Sequence, residues 1–323
     1  KIKNAMASLS RRNFIQQSSI LVAGAALPFP FLNCNSTTSR LFKMSINPGA
    51  IGVKLNQSGL LDAAIKYGFE SIIAFPKELA EMNTGLLNDF IKKMKSKNIS
   101  WGSAGLPLDF RKSAAIFDQG MKDLPVLSKA LQQAGVSRMN TWIMPTNDTL
   151  TYRENFKQHA ERLGAVAKVI ADYGIDLGLE YVGPKTLMAR DRYSFIRSMK
   201  ETKELIAETK APNLKIQLDS FHWFCAEETV EDILSLDKND IVTVDLNDAT
   251  KGRTAAEQID GQRELPGDSG VIDLKAFLGA LIKIGYDGPV RAEPFNKPLN
   301  EMDNEAALAA TYKAMKSSFD LVK

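Results

Sequence analysis

The sequence has 323 residues, of which 44% are hydrophobic and 24% charged, a globular composition that excludes a disordered or collagen-like chain. The net charge of +3 is uneven, because residues 1–43 hold six basic residues and no acid, leaving 35 basic against 38 acidic residues in the following 280. This mildly acidic body argues against general nucleic-acid binding. Two cysteines exclude a disulfide framework, and two histidines limit a metal site to two imidazole ligands.

Residues 1–43 are predicted to be an export signal and linker. The segment SRRNFI at 10–15 resembles the twin-arginine export motif, and an apolar run at 20–27 follows it. That run is too short to span a bilayer, whereas an amphipathic first helix would need a polar face that it lacks. We therefore expect an exported, periplasmic protein without a membrane span. Cys34 is a candidate for a lipid anchor, although Asn33 before it fits a lipobox poorly.

From residue 44 to 323, short apolar runs alternate with longer segments of helical periodicity. Strands are predicted at 46–53, 69–75, 99–103, 136–143, 175–180, 214–219, 241–246 and 289–293. Helices are predicted at 60–67, 86–97, 115–134, 152–173, 193–209, 230–234, 274–284 and 303–321. Eight βα units in about 280 residues predict a single α/β domain, a (β/α)8 TIM barrel. A doubly wound sheet is the alternative, but no G-x-G-x-x-G or P-loop motif is present.

Four consecutive predicted strands end on carboxylates: Glu180, Asp219, Asp245 and Glu293. Strand ends converge at one mouth of a TIM barrel, where four acids would repel each other unless a cation joined them. The alternative is that each acid makes a separate salt bridge or caps a helix. We favour a divalent metal, and an all-oxygen ligand set shifts the preference from Zn²⁺ towards Mn²⁺ or Mg²⁺, with Co²⁺ as a further alternative.

Four motifs in the second half carry a family resemblance. They are LEYVGPK at 179–185, LDSFHW at 218–223, LPGDSGVID at 265–273, and IGYDGP at 284–289 followed by Glu293. Together they resemble the xylose isomerase-like superfamily, which includes D-tagatose 3-epimerase-type enzymes, inosose dehydratase and apurinic endonucleases. The resemblance covers the chain from the fifth strand onward; the first half matches only in its βα rhythm.

The resemblance assigns roles to particular residues. Glu180 and Glu293 would be metal ligands and the catalytic acid/base pair, and Asp219 a metal ligand. His222 would contact the substrate or the metal, and Arg263 would bind substrate oxygens. Asp245 stands where relatives usually carry a metal-binding histidine, which puts the identity of the metal in doubt. The three-zinc endonuclease site cannot form, because only His159 and His222 exist, and mid-helix His159 is expected at the surface.

Such a site would remove a proton α to a sugar carbonyl, giving an enediolate that can lead to epimerisation, isomerisation or dehydration. We expect an isomerase or epimerase acting on an unphosphorylated sugar or keto-sugar, with a dehydratase or a non-catalytic sugar-binding barrel as alternatives. Trp142, Trp223 and Lys185 are further candidate substrate contacts. Packing under a loop explains the two tryptophans equally well, and for Lys185 we favour a solvated loop position. The long segment 248–270 is predicted to be a lid or a contact in a homo-oligomer.

Overall fold

The computed structural model describes residues 39–323, which form a closed barrel of eight parallel strands. Each strand pairs with its neighbours in chain order, and the last strand pairs with the first. The predicted TIM barrel is thus confirmed. The strands are β1 Lys43–Ile46, β2 Ser71–Ala74, β3 Ser100–Gly105, β4 Arg138–Ile143, β5 Asp176–Tyr181, β6 Leu214–Asp219, β7 Ile241–Leu246 and β8 Pro289–Ala292.

Helices follow the strands and cover the outside of the barrel. They are α1 Gln57–Tyr67, α2 Pro76–Glu81, α3 Thr84–Ser96, α4 Ala114–Ala134, α5 Tyr152–Ala171, α6 Met199–Thr209, α7 Ser220–Cys225, α8 Val230–Leu234, α9 Leu274–Lys283, α10 Lys297–Asn300 and α11 Asn304–Asp320. Short 3-10 turns cover Gly49–Ile51, Lys185–Ala189, Lys238–Asp240 and Ala255–Glu257. A two-stranded antiparallel ribbon, Thr146–Asn147 with Tyr193–Ser194, lies outside the barrel sheet.

Local sequence explains where several helices begin and end. The side chains of Asn56 and Asn83 accept backbone N–H groups at the starts of α1 and α3, and Thr151 with Glu154 forms a capping box at α5. Gly68 and Gly135 close α1 and α4 with φ values of 90° and 81°, which glycine adopts without strain. These signals account for the good agreement at most helix ends.

Two predicted elements are placed differently by the structure. The first strand was expected at 46–53 but covers Lys43–Ile46. Pro48 begins a tight turn, and the apolar residues Ala50 and Ile51 are buried in that turn and not in a strand. The fifth predicted helix was expected from residue 193, yet Tyr193–Ser194 forms the ribbon, and the corresponding helix of the structure, α6, starts only at Met199. Ser198 caps α6 through its side chain, which sets the later start.

The buried apolar residues of the strands and of the helices around them form one core. Within residues 39–323, no helix is long and apolar enough to cross a membrane. The predicted signal motif and Cys34 lie outside the described residues. Cys225, in α7, is a buried free cysteine of the described part.

Candidate active site

The four predicted strand-end acids form one cluster at the carboxyl-terminal mouth of the barrel. One carboxylate oxygen from each of Glu180, Asp219, Asp245 and Glu293 lies within 4.8 Å of the others. The first three are buried, while the Glu293 side chain stays 14% exposed. Strand register explains the convergence, since Asp219 pairs laterally with Asp245 across β6 and β7.

Asp219 is held by four hydrogen-bond donors. One oxygen accepts the backbone N–H groups of Phe221 (2.6 Å) and His222 (3.2 Å), which caps α7. The other accepts Nδ2 of Asn247 at 3.0 Å and Nη1 of Arg263 at 2.9 Å. A carboxylate offers about four acceptor sites, so Asp219 could ligate a cation only by giving up one of these donors.

Asp245 is the counter-ion of a buried arginine. Nε and Nη2 of Arg291 lie 2.5 and 3.1 Å from its two oxygens, an arrangement that follows from the lateral pairing of these residues on β7 and β8. The amide of Gln217 donates to Asp245 at 2.6 Å and to Glu180 at 2.8 Å. Three of the acceptor sites of Asp245 are therefore in use.

Glu180 and Glu293 keep most of their acceptor capacity. Within the described chain, Glu180 accepts only the bond from Gln217, and the Glu293 carboxylate lies 3.6 Å from Arg263 Nη1, beyond hydrogen-bond distance. Burial, followed by repulsion from Glu293 and Asp245, raises the pKa of Glu180 well above its usual value. Burial and repulsion from Asp245 raise the pKa of Glu293 to about 8. Glu293 can therefore carry or release a proton near neutral pH, and Glu180 holds its proton more tightly than an exposed carboxyl group does.

The cluster fits a divalent cation. Its close oxygens are hard donors, and burial together with repulsion among the acids disfavours the ionised form of both glutamates, a cost that a bound cation would offset. Glu180 and Glu293 could bind such an ion with free oxygens, Asp245 with one remaining site, and Asp219 after releasing a donor. A second close group, Glu180 with Asp219 and His222, offers an imidazole nitrogen as an alternative ligand.

A cavity of about 410 Å³ opens above the cluster. Glu180, Glu293, His222, Arg263 and Trp142 line it, together with Met144, Val182, Leu187, Arg190, Asp260 and Phe295. Nη2 of Arg263 contacts Oδ1 of Asp260 at 2.8 Å and Nε2 of His222 at 3.2 Å. Burial lowers the pKa of His222, so its ring is neutral and can hydrogen-bond a hydroxyl. The cavity thus combines two titratable carboxyls with polar groups suited to a polyol.

The family model for the xylose isomerase-like TIM barrel matches residues 61–318 of the chain. The chain belongs to this family. The family model therefore also matches the first half of the barrel, from α1 onward, whereas the motifs in the sequence lie only from the fifth strand onward. It leaves the reaction open, because the family model describes a barrel rather than one activity.

Individual relatives of this xylose isomerase-like protein include sugar-acting enzymes. Inosose isomerase of Bacillus subtilis (strain 168) is 25% identical over 177 residues, which are 55% of this chain and 59% of that protein. Ketose 3-epimerase of Arthrobacter globiformis is 28% identical over 134 residues, 42% of this chain and 40% of that protein. The chain thus matches roughly half the length of these curated relatives. A solved xylose isomerase domain protein from Alicyclobacillus acidocaldarius subsp. acidocaldarius is 26% identical, with a TM-score of 0.76 over 87% of this chain and 99% of that one.

Not every predicted substrate contact reaches the cavity of this xylose isomerase-like barrel. His222, Arg263 and Trp142 line it. Trp223 instead lies buried against Phe277, and its indole N–H donates to the backbone carbonyl of Thr229. Lys185 is ion-paired with Glu227 at the surface. Trp223 is thus a packing residue, and Lys185 is a surface residue, as their alternative interpretations had it.

The expectation that His159 lies at the surface is wrong. Its side chain is buried on the inward face of α5, four residues from Asn155 and Leu163, which are buried as well. Phe110 and Phe195 pack against the ring. Because Asn155 and His159 are both polar, the first half of this buried face does not read as an apolar stripe in the sequence, and the helical spacing becomes apolar only from Leu163 onward.

The long segment 248–270 is well tied to the barrel. Asp248 exchanges two backbone hydrogen bonds with Glu264, and its carboxylate accepts the N–H groups of Ser269, Gly270 and Ile272. The segment contributes Asp260 and Arg263 to the cavity. Whether it also moves as a lid or joins two copies stays a prediction.

Sequence reasoning missed three side chains that organise the cluster: Gln217, Asn247 and Arg291. Each lies two residues from a predicted acid on the same strand or its end, and therefore on the same inward face. The period of two residues in a strand was the signal that could have found them. Asn247 binds Asp219 through Nδ2, and its Oδ1 accepts the backbone N–H of Glu293 at 2.9 Å.

Proposed function

We propose that this protein is a divalent-metal-dependent isomerase or epimerase that acts on an unphosphorylated sugar or keto-sugar. One observation carries the proposal: two glutamates from different strands, with raised pKa values and free oxygens, line the same cavity beside an acidic cluster. The names of the two curated relatives, an inosose isomerase and a ketose 3-epimerase, support the same class.

In this proposal Glu180, Asp219, Asp245 and Glu293 hold the cation, with Mn²⁺ favoured by the all-oxygen donor set. The bound ion supplies a Lewis acid that polarises the substrate carbonyl and stabilises the charge left when a neighbouring proton is removed. Arg263 and His222 bind substrate oxygens and orient the ring. Water is excluded by Leu187 and Phe295, which are apolar members of the cavity wall.

Glu180 and Glu293 move the proton. Glu180 lies near the end of β5 and Glu293 directly follows β8, so they approach the cavity from different sides of the barrel axis. One carboxylate accepts the proton from the carbon next to the carbonyl, and the carboxyl group opposite returns one. Return to the opposite face of the same carbon is epimerisation, and return to the neighbouring carbon is isomerisation.

The arginines of the cavity favour an unphosphorylated sugar. Arg263 is paired with Asp219 and Asp260, and Arg190 is paired with Asp191. Neither guanidinium that lines the cavity is therefore free of a carboxylate partner and ready to bind a phosphate group. Twin-arginine export, which we retain as a proposal, agrees with this, since sugar phosphates are largely intracellular. Retention of an Arg11→Lys/Arg12→Lys variant in the cytoplasm would support export, whereas unchanged export would contradict it.

The test is proton exchange with solvent. Ketohexoses and inososes are incubated in D2O with the Mn²⁺-loaded protein, and loss of the α-proton signal is followed by NMR. Glu180→Gln and Glu293→Gln should each abolish exchange, while Glu161→Gln, on the exposed part of α5, should not. Proton exchange that persists in both glutamine variants would contradict the assignment of Glu180 and Glu293 as the acid/base pair. Tight sugar binding by the wild type without exchange would favour a binding protein.

A further inference from the structure

A second cavity, of about 400 Å³, adjoins the catalytic one. The two share Trp142, Met144 and Arg190 in their walls, and both have the size of small-molecule sites. A guanidinium, that of Arg111, lies 4.0 Å from the centre of the Trp142 ring and also donates to the Trp142 carbonyl at 2.6 Å. The indole at the end of β4 is therefore held in place as the partition between the cavities.

Hydrogen bonds hold the outer wall of the second cavity in place. Thr146, in the antiparallel ribbon, donates to the Asp191 carboxylate at 2.5 Å, and Asn147 accepts the backbone N–H groups of Thr149 and Leu150. These bonds join the segment after β4 to the segment before α6. The ribbon thus fixes Arg190 and Asp191 beside the partition.

Two buried polar atoms of this wall have no hydrogen-bond partner among residues 39–323: Nε2 of His159 and Oδ1 of Asn155. The His159 Nδ1 lies 2.9 Å from the Asn155 carbonyl, which can only accept, so Nδ1 carries the hydrogen and Nε2 is an acceptor. Burial lowers the pKa of His159 to about 4, which keeps the ring neutral. Asn155 and His159, which line the cavity, therefore each carry a buried acceptor without a donor, a costly arrangement that a hydroxyl group of a bound ligand would relieve.

The charges around this cavity balance. Its titratable lining residues, apart from neutral His159, are three acids and three bases: Asp109, Asp148, Asp191, Arg111, Lys112 and Arg190. An anion such as a phosphate or a carboxylate would gain no net attraction there. A neutral ligand rich in hydroxyl donors matches both the charge balance and the unpartnered acceptors.

We propose that the second cavity is a subsite for an uncharged sugar ring, so that the substrate is a glycoside whose reacting ring occupies the catalytic cavity and whose second ring contacts Asn155 and His159. This inference rests on the proposed function for the reacting ring. It makes the substrate a disaccharide-like molecule, with Trp142 between the two rings.

The test compares one ketose with and without a second ring. Binding of fructose and of its glucosides turanose, maltulose and isomaltulose to the full-length, Mn²⁺-loaded protein is measured by calorimetry. At least one glucoside should bind more tightly than fructose. In His159→Phe and Asn155→Leu, the ratio of glucoside to fructose affinity should fall about two- to tenfold, the effect of one neutral hydrogen bond. Lys157→Ala, at an exposed position of α5, should leave the ratio unchanged.

Thermal unfolding shows whether a variant loses glucoside affinity only because its fold is destabilised. Because the two acceptors have no protein partner, apolar replacement should not lower the melting temperature of at least one variant. Glucosides that bind no better than fructose, or a ratio that survives in both variants, would overturn the subsite and leave the proposed function standing. Binding of none of these sugars would overturn both. Ratio changes as expected without proton exchange would keep the subsite and remove the proposed chemistry.

Discussion

Replacing Arg291 by methionine should strongly destabilise the metal-free barrel. The guanidinium is 4% exposed, makes two contacts of 2.5 and 3.1 Å with Asp245, and donates to Ser103 at 3.1 Å. Its loss leaves Asp245 charged, buried and close to Glu180 and Glu293. Removing one partner of a buried ion pair typically lowers the free energy of unfolding by about 3–5 kcal/mol, and we expect a loss in this range.

Urea unfolding at pH 7, followed by tryptophan fluorescence, measures this loss. Lys215→Met is the matched control, because Lys215 is also a strand residue paired with an aspartate, Asp176, but at a partly exposed position. That change should lower the free energy of unfolding by no more than about 1 kcal/mol. The double variant Asp245→Asn/Arg291→Met should recover most of the loss, since no charge remains unpaired. Equal losses for Arg291→Met and Lys215→Met would refute the reasoning.

Three further outcomes are expected. In the metal-free protein, the pKa of Glu293 is raised from 4.5 in the unfolded state to about 8 in the folded state. Protonation of Glu293 therefore stabilises the fold fully below pH 4.5, and this stabilisation is lost as the pH rises to about 8. The urea midpoint should fall over this range, and it should fall less in Glu293→Gln. Gly183→Ala should lower the free energy of unfolding by about 1–3 kcal/mol, because a Cβ would lie 2.4 Å from the His222 carbonyl oxygen; an unchanged urea midpoint would contradict this. Burial raises the pKa of the Cys225 thiol, so a thiol reagent should label it only on unfolding, and rapid labelling of the native protein would show otherwise.

The barrel could be predicted because its signals are local and repeated. Several strands contain short apolar runs, such as SIIA in β2, and glycines such as Gly68 and Gly135 mark where helices end. The first strand was misplaced because the apolar run at 46–53 continues through a turn that begins at Pro48. The start of α6 was misplaced because Tyr193–Ser194 pairs with Thr146–Asn147, a contact between residues far apart in the chain. Local periodicity contains no information about such a partner.

The acids of the site could be predicted from their places at strand ends, but their surroundings could not. That Asp245 faces Arg291 depends on the register between β7 and β8, which no short motif specifies. His222 and Asp219 were recognisable because both lie in the LDSFHW motif at 218–223 that carries part of the family resemblance. Trp223, the next residue after His222, turns outward to Phe277, since adjacent helical positions point in different directions.

The pairing of Asp245 with Arg291 also constrains how this site could have diverged within its family. A histidine at position 245, as the motif resemblance leads one to expect, would place an imidazole against a buried guanidinium with no counter-ion. A lineage passing between the two forms in single steps would therefore meet an unfavourable intermediate in whichever order the positions changed. We expect the identities at 245 and 291 to covary among relatives, so that an aspartate at the first position should be accompanied by an arginine at the second.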